Sequence, residues 1–173
     1  DAAVGNVPFA DVALHDRQFN AGGHSMHNHF IIKSLAMTRP GGIVAVLTSR
    51  FTLDGTNPAA RREMASMADL VGAVRLPSGA HRRAAGTEAV TDLLILRRRA
   101  EAEPARDDYW TTTVSRVVDG ENVRVNGYFE AHPEHVLGEY HVGTGMHGAQ
   151  TLTVRADDLG LVAGNVDAAL QQI

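Results

Sequence analysis

Five apolar residues, Ile43-Val44-Ala45-Val46-Leu47, follow directly on Pro40-Gly41-Gly42, and they constrain this chain more than any other stretch. A continuous apolar run rich in β-branched residues fits a strand buried on both faces, as in the middle of a parallel sheet. Pro cannot continue a helix and Gly takes the left-handed cap, so a helix is expected to end just before the run. That helix spans roughly Met26 to Thr38, with Phe30, Ile31, Leu35 and Thr38 near one face and Lys33 opposite. Ahead of it, Ala2 to Gly5 forms a short strand ending at Asn6. The intervening segment, Ala10 to Gly23, carries His15, Asp16, Arg17 and Gln18 and is long enough for a functional flap. Strand, loop, helix, Pro-Gly-Gly turn and strand make an α/β chain.

The pattern continues. Thr48-Ser49-Arg50-Phe51 stands at the carboxyl end of the apolar strand, where open α/β sheets bind ligands. Asn57-Pro58 starts a helix that runs to about Met67, with Met64 and Met67 turned inward. Leu70 to Leu76 is a strand stopped by Pro77-Ser78-Gly79. Ala80 to Gly86 is a basic loop with His81, Arg82 and Arg83. Ala89 to Leu96 is a further strand, ending in Arg97-Arg98-Arg99. Residues 1–99 therefore read as one unit, 100–106 as an Ala/Glu/Pro linker, and 107–173 as a small α+β appendage. In the appendage a hairpin is expected around Asp119-Gly120, a helix over Tyr128 to Tyr140, a strand over Thr151 to Val154 and a helix over Val166 to Ile173.

At 173 residues and 44% hydrophobic, the chain can build a core. Its net charge of -4 means that any nucleic-acid contact needs local clusters or a neighbouring domain. The absence of cysteine excludes disulfides and thiolate metal sites and makes a cytoplasmic (bacterial) setting the default expectation. No apolar run approaches the ~20 residues of a membrane helix. The first residues, from Asp1, already read as strand, so the chain is expected to be a piece of a longer protein.

Asn6-Val7-Pro8-Phe9 places a polar side chain at a strand end beside a stiff turn and an aromatic, which suits holding a flat polar ring. The same spelling also serves as an ordinary turn, with Asn6 bonding its own backbone and Phe9 in the core. These four residues resemble the Asn-Pro-Pro-Phe/Tyr motif of amino-group methyltransferases, chiefly N6-adenine DNA methyltransferases. Thr48-Ser49-Arg50-Phe51-Thr52-Leu53-Asp54, Arg61, Gly72-Ala73-Val74-Arg75-Leu76-Pro77, Gly86-Thr87 and Thr91-Asp92-Leu93-Leu94-Ile95-Leu96 extend the likeness to type I modification subunits. The nearest resemblance is to methyltransferase-like regions of very large bacterial proteins that also carry a helicase, where Val-Pro often replaces Pro-Pro.

The resemblance implies the second half of a Rossmann-like class I methyltransferase sheet, closed by an antiparallel strand for which Ala89 to Leu96 is the candidate. It implies S-adenosyl-L-methionine as cofactor and DNA as partner, together with the upstream remainder of the parent chain and a helicase domain. The Asn6 side-chain carbonyl and the Val7 backbone carbonyl would accept hydrogens from an adenine amine, Pro8 would hold Val7 extended, and Phe9 would stack on the base. Asn6 is the cofactor contact that this chain offers, because the family's Gly-rich turn and acidic ribose ligand lie upstream. Gly143-Thr144-Gly145-Met146-His147-Gly148 spells a dinucleotide turn but precedes a strand rather than a helix, so it reads as a hairpin loop. His15 and Arg17, and Ser49 and Arg50 at the strand end, are substrate-binding candidates; Arg82, Arg83 and Arg97 to Arg99 are candidates for phosphate or for a solvated edge. His24, His27 and His29 straddle a helix start without an adjacent carboxylate, and no metal ligands are assigned. Trp110 reads as core. Two other readings stand beside the adenine methyltransferase: a non-catalytic nucleic-acid-binding or scaffold module of a helicase–methylase protein, and a methyltransferase for another planar amide or amine. The strand ending at Asn6 is expected to have an open edge.

Overall fold

The structure is a computed structural model describing residues 1–9, 12–80, 89–144 and 150–173. The basic loop residues His81, Arg82 and Arg83, the Gly86-Thr87 pair and the Gly145–Gly148 part of the glycine-rich spelling lie outside the described residues.

A mixed four-stranded sheet forms the centre, built from β1 (Ala2–Asn6), β2 (Ile43–Ser49), β3 (Ala68–Arg75) and β4 (Thr91–Arg98) in the order β1-β2-β4-β3. β1 and β2 are parallel, with Asn6 opposite Leu47. β4 runs antiparallel to both β2 and β3, as expected of the closing strand, and it is inserted between them. The apolar run of β2 is thus flanked by one parallel and one antiparallel neighbour. Its burial also alternates, with Val44, Val46 and Thr48 fully enclosed and the residues between them half-buried. β1 is an edge strand among the described residues, and Val4 on it is 81% exposed.

One sheet face is covered by α1 (Met26–Met37) and α3 (Ala59–Met67) through Ile31, Ile32, Leu35 and Met64. On α1, Ile32 is buried where Phe30 was expected; Phe30 is 37% exposed. Trp110, Val125, Phe129 and Leu152 enter the same buried cluster as Val44 and Leu94, so residues beyond 107 share the core of the sheet. On the other face, Val74 and Leu76 meet Ala169 of a C-terminal helix, α5 (Val162–Leu170), which starts four residues earlier than its apolar spacing suggests. A bulge in β3 falls between Leu70 and Gly72. There a Cβ on Gly72 would lie 2.5 Å from the Ile173 side chain, so glycine is what lets the chain end close over the sheet.

The later segment forms two hairpins. β5 (Thr113–Val118) and β6 (Glu121–Asn126) join through Asp119 at φ 51° and Gly120 at φ 83°, the paired positive angles that a tight two-residue hairpin turn requires. Tyr128 to Tyr140 is not one helix. A short helix, α4 (Gly127–Ala131), ends before Pro133, a 3-10 turn covers Pro133–His135, and Glu139–Thr144 is strand β7, paired with β8 (Gln150–Arg155). Proline has no N–H to extend the helical ladder, and the chain leaves it there. The 100–106 segment is a pinned turn. Glu103 accepts from Arg97 and from the Ala100 N–H (2.9 Å), and Asp69 receives Arg97 (2.9 Å), Arg99 (2.9 Å) and the Arg106 N–H (3.2 Å). Arg98 and Arg99 also donate to carbonyls at the end of α3 and the start of β3, so the Arg97–Arg99 run clamps the fold and is not held free for phosphate.

Candidate functional site

Parallel neighbours end on the same side of a sheet, so the loops after β1 and β2 emerge together. The Val7 N–H bonds the Leu47 carbonyl at 3.0 Å, extending the ladder one residue past Asn6, and the Val7 side chain is buried in the core. This anchor leaves Asn6, Pro8 and Phe9 exposed around it. Among the described residues no hydrogen bond engages the Asn6 side chain, so the self-bonded turn is not what the strand end adopts. Phe9 is 39% exposed and is not core.

The strand period does the same sorting on β2. Thr48 points inward and shares a hydrogen bond with Thr52 at 2.9 Å, whereas Ser49 opens outward and its Oγ accepts the Phe51 N–H at 3.3 Å. Phe51 begins α2 (Phe51–Asp54) and is 53% exposed, with the Arg50 guanidinium 4.3 Å from its ring centre. Phe9, Ser49 and Phe51 line one open cleft of about 610 Å³, together with His24, Asn28 and Asn57. That volume lies within the usual range for small-ligand sites. Sequence reasoning had not singled out Phe51 as a site residue, although an aromatic just past the carboxyl end of a buried strand is the signal that identifies it.

Other candidates are placed elsewhere. Arg50 pairs with Asp54 at 3.2 Å and reaches Thr151 at 3.3 Å, on an adjoining hollow of about 290 Å³ that meets the cleft at Phe51, Gly55 and Thr56 and also contains Arg124. Burial pushes the Arg50 guanidinium down from its ordinary value, with the Asp54 carboxylate opposing. His15 and Arg17 are exposed on a third hollow of about 440 Å³, which meets the cleft only at Gly23. The loop bearing them is internally built. Buried Asn20 donates to the Leu14 and His24 carbonyls (2.8 and 3.1 Å) and accepts the His24 N–H (2.8 Å). Asp16 caps the Gln18 and Phe19 N–H groups and takes Lys33 at 3.0 Å; that lysine and those N–H groups hold its carboxyl below the usual value despite some burial. The three expected histidines go to three different partners: His24 to Glu63 at 2.7 Å, His27 to Ser25 at 3.1 Å, and His29 to the Phe19 carbonyl at 3.3 Å.

Next to the Arg50 hollow, which Asp54 lines, is a buried charge network built from other residues of the same sequence pattern. Arg75, fully enclosed, makes a two-pronged pair with Asp92 (2.8 and 2.8 Å), meets Asp54 at 2.9 Å, and stacks 4.2 Å from the Phe129 ring centre. Burial opposes its charge, but the two carboxylates outweigh burial and hold the guanidinium well above its ordinary value. Tyr140, pushed up to about 12 mainly by burial, closes the node through its hydroxyl. Arg61 is likewise internal and donates to the carbonyls of Thr111 (3.0 Å), Thr52 (3.2 Å) and Gly55 (2.8 Å).

No known family profile matches the chain. Over 101 residues it is 32% identical to the Defense against restriction protein B of Escherichia phage P1, a match covering 57% of this chain and 4% of that much longer protein. Among solved structures it is similar to a modification subunit of a putative type I restriction enzyme from Vibrio vulnificus YJ016, with a TM-score of 0.49, 17% identity, and coverage of 91% of this chain and 37% of that one. It is also similar to a chain from a type I R-M system, with a TM-score of 0.46, 19% identity, and coverage of 61% and 22%. No helix among the described residues is long and apolar enough to cross a membrane.

Proposed function

We propose that this chain is the base-holding part of an S-adenosyl-L-methionine-dependent DNA adenine-N6 methyltransferase. The carrying observation is the cleft, on which Phe9, from the turn after β1, and Phe51, from the end of β2, are both exposed. An adenine within a duplex must leave the stack before chemistry, which costs a few kcal/mol. Stacking on an aromatic returns about 1–3 kcal/mol per base. The Asn6 side-chain carbonyl and the Val7 backbone carbonyl accept the two amine hydrogens, favour a pyramidal nitrogen and stabilise the positive charge that grows on it. Val7 serves this as well as proline would, because its amide is already fixed to Leu47. Ser49 lines the base cleft, and His15, Arg17 and Arg50 contact the flanking DNA.

The cofactor, when bound, supplies an electrophilic methyl group. The cleft fits a base better than it fits the cofactor: among the described residues its lining includes no carboxylate to hold a ribose. The cofactor seat is therefore assigned to the upstream part of the parent protein, with Asn6 touching its edge, and residues 1–173 alone are expected to bind it weakly. Micromolar binding by the isolated chain would overturn that assignment. The match to a phage antirestriction protein and the likeness to modification subunits are in keeping with this reading.

In the parent protein, Asn6→Ala should lower adenine-N6 methylation about 10²–10³-fold, the scale seen when one transition-state hydrogen bond is lost, while cofactor binding persists. Mass spectrometry of digested DNA reads the product, and unchanged methylation would sink the role. The cleft lining, which includes Phe9 but neither Asn6 nor Val7, favours a second reading, a non-catalytic DNA-binding module. On that reading the parent yields no methyladenine at all, yet Phe9→Ala still weakens DNA binding.

A further inference from the structure

The short segment after α4 gathers His132, Glu134 and His135, none of which lines the base cleft and none of which the methyltransferase chemistry uses. We propose that these three side chains form a binding site for a transition-metal dication of the zinc type, with the carboxylate bridging two imidazoles. The 3-10 turn at Pro133–His135 produces the grouping, since it folds residues 132, 134 and 135 toward one point. All three ligand atoms lie within 4.8 Å of one another. The Glu134 Oε1 is 3.2 Å from His132 Nδ1 and 3.9 Å from His135 Nε2. Two ligands on a tetrahedral zinc ion, each at 2.0–2.1 Å, sit roughly 3.4 Å apart, so the observed spacings bracket the bound geometry.

His135 carries the argument. Its side chain is 5% exposed, and its Nε2 is enclosed without any hydrogen-bond partner. A buried polar nitrogen left unpaired is costly, and a cation lying between it and Glu134 would satisfy it. The other ring nitrogen, Nδ1, is 2.7 Å from the Tyr128 hydroxyl. This is the outer contact that fixes ring orientation in metal-binding histidines. His132 and Glu134 are half-exposed and free to close on an ion, leaving a fourth position for water. The two imidazole rings stack within 12° of parallel, so His132 must turn about its Cβ–Cγ bond to bring its nitrogen into line. Its hydrogen bond to Tyr109, 3.1 Å long, is what it gives up.

The test is titration of the whole chain with zinc chloride by calorimetry, repeated with cobalt(II) to read the visible bands of a tetrahedral site. His135 is buried, so the informative variants are the half-exposed Glu134→Gln and His132→Asn, each checked for unchanged folding by circular dichroism. Single-site binding that weakens at least tenfold in both variants, with tetrahedral cobalt bands in the parent chain only, is the expected result. No binding heat, or binding equally strong in Glu134→Gln, overturns the proposal; the second outcome would assign the metal to other surface histidines.

Discussion

The residues after β2 divide between two regions that differ in almost every physical respect. Thr48, Thr52, Leu53 and Asp54 face the interior, where Asp54 joins the enclosed Arg75 network; Ser49 and Phe51 face water on the cleft. The division is a matter of strand and helix period, not of residue character, because a charged side chain goes inside and an aromatic stays out. The comparison teaches that one continuous sequence pattern can encode both a scaffold and a site. Asp54, Arg61, Arg75 and Asp92 are enclosed in the scaffold, while Ser49 and Phe51 open onto the cleft.

Substitutions should separate the two regions. Arg75→Met should cost the most, about 3–5 kcal/mol in urea unfolding, because it leaves Asp54 and Asp92 buried without their partner. A loss under 1 kcal/mol would mean that the node is not the keystone described. Asp69→Asn is next. Burial alone would raise the Asp69 carboxyl, but Arg99, the Arg106 N–H and Arg97 outweigh it and hold the group below its usual value. A depressed acid stabilises fully above its unfolded pKa, about 3.9, and that contribution is lost as pH falls through the lower folded value. The variant should therefore be less stable than the parent by about 1–3 kcal/mol at neutral pH and converge on it in strong acid, as thermal melts across pH will show. The smallest structural effect is expected at the cleft. Phe9→Ala and Phe51→Ala should each move stability by about 0.5 kcal/mol or less, yet weaken binding of an extrahelical 2-aminopurine by about 1–3 kcal/mol, read from its fluorescence. If either aromatic proves to matter more for folding than for binding, the contrast between the regions collapses.

Much of the central sheet was legible because its signals are local. The Pro40-Gly41-Gly42 stop, the Ile43–Leu47 run and the Asp119-Gly120 turn each act through their own backbone chemistry, and the structure places β2 and the β5–β6 hairpin where those signals fall. The cleft was half legible: of the Asn6–Phe9 stretch only Phe9 reaches its lining, and Phe51 depends on which way the chain turns after Ser49. What stayed hidden depends on distant partners. The Arg97–Arg99 cluster looks like a phosphate contact until Asp69, far back in sequence, takes Arg97 and Arg99. The helix expected over Tyr128 to Tyr140 runs into β7 at Glu139 and Tyr140, and only pairing with β8 reveals Glu139–Thr144 as strand.

The Arg75 node also bears on the order in which the chain acquires its shape. Its partners stand 17 residues ahead at Asp92 and 65 residues ahead at Tyr140, with Asp54 behind it, so it cannot assemble from neighbours. The β5–β6 hairpin needs only its own two-residue turn and belongs to the class of events that take about 1–10 μs. Arg75 and Asp92 face each other once β3 pairs with β4, but the node is complete only after the segments bearing Asp54 and Tyr140 have also closed on them, and until then these charges stay hydrated. Refolding is thus expected to wait on a single dehydration step, before which both hairpins are formed and the sheet is still unlocked.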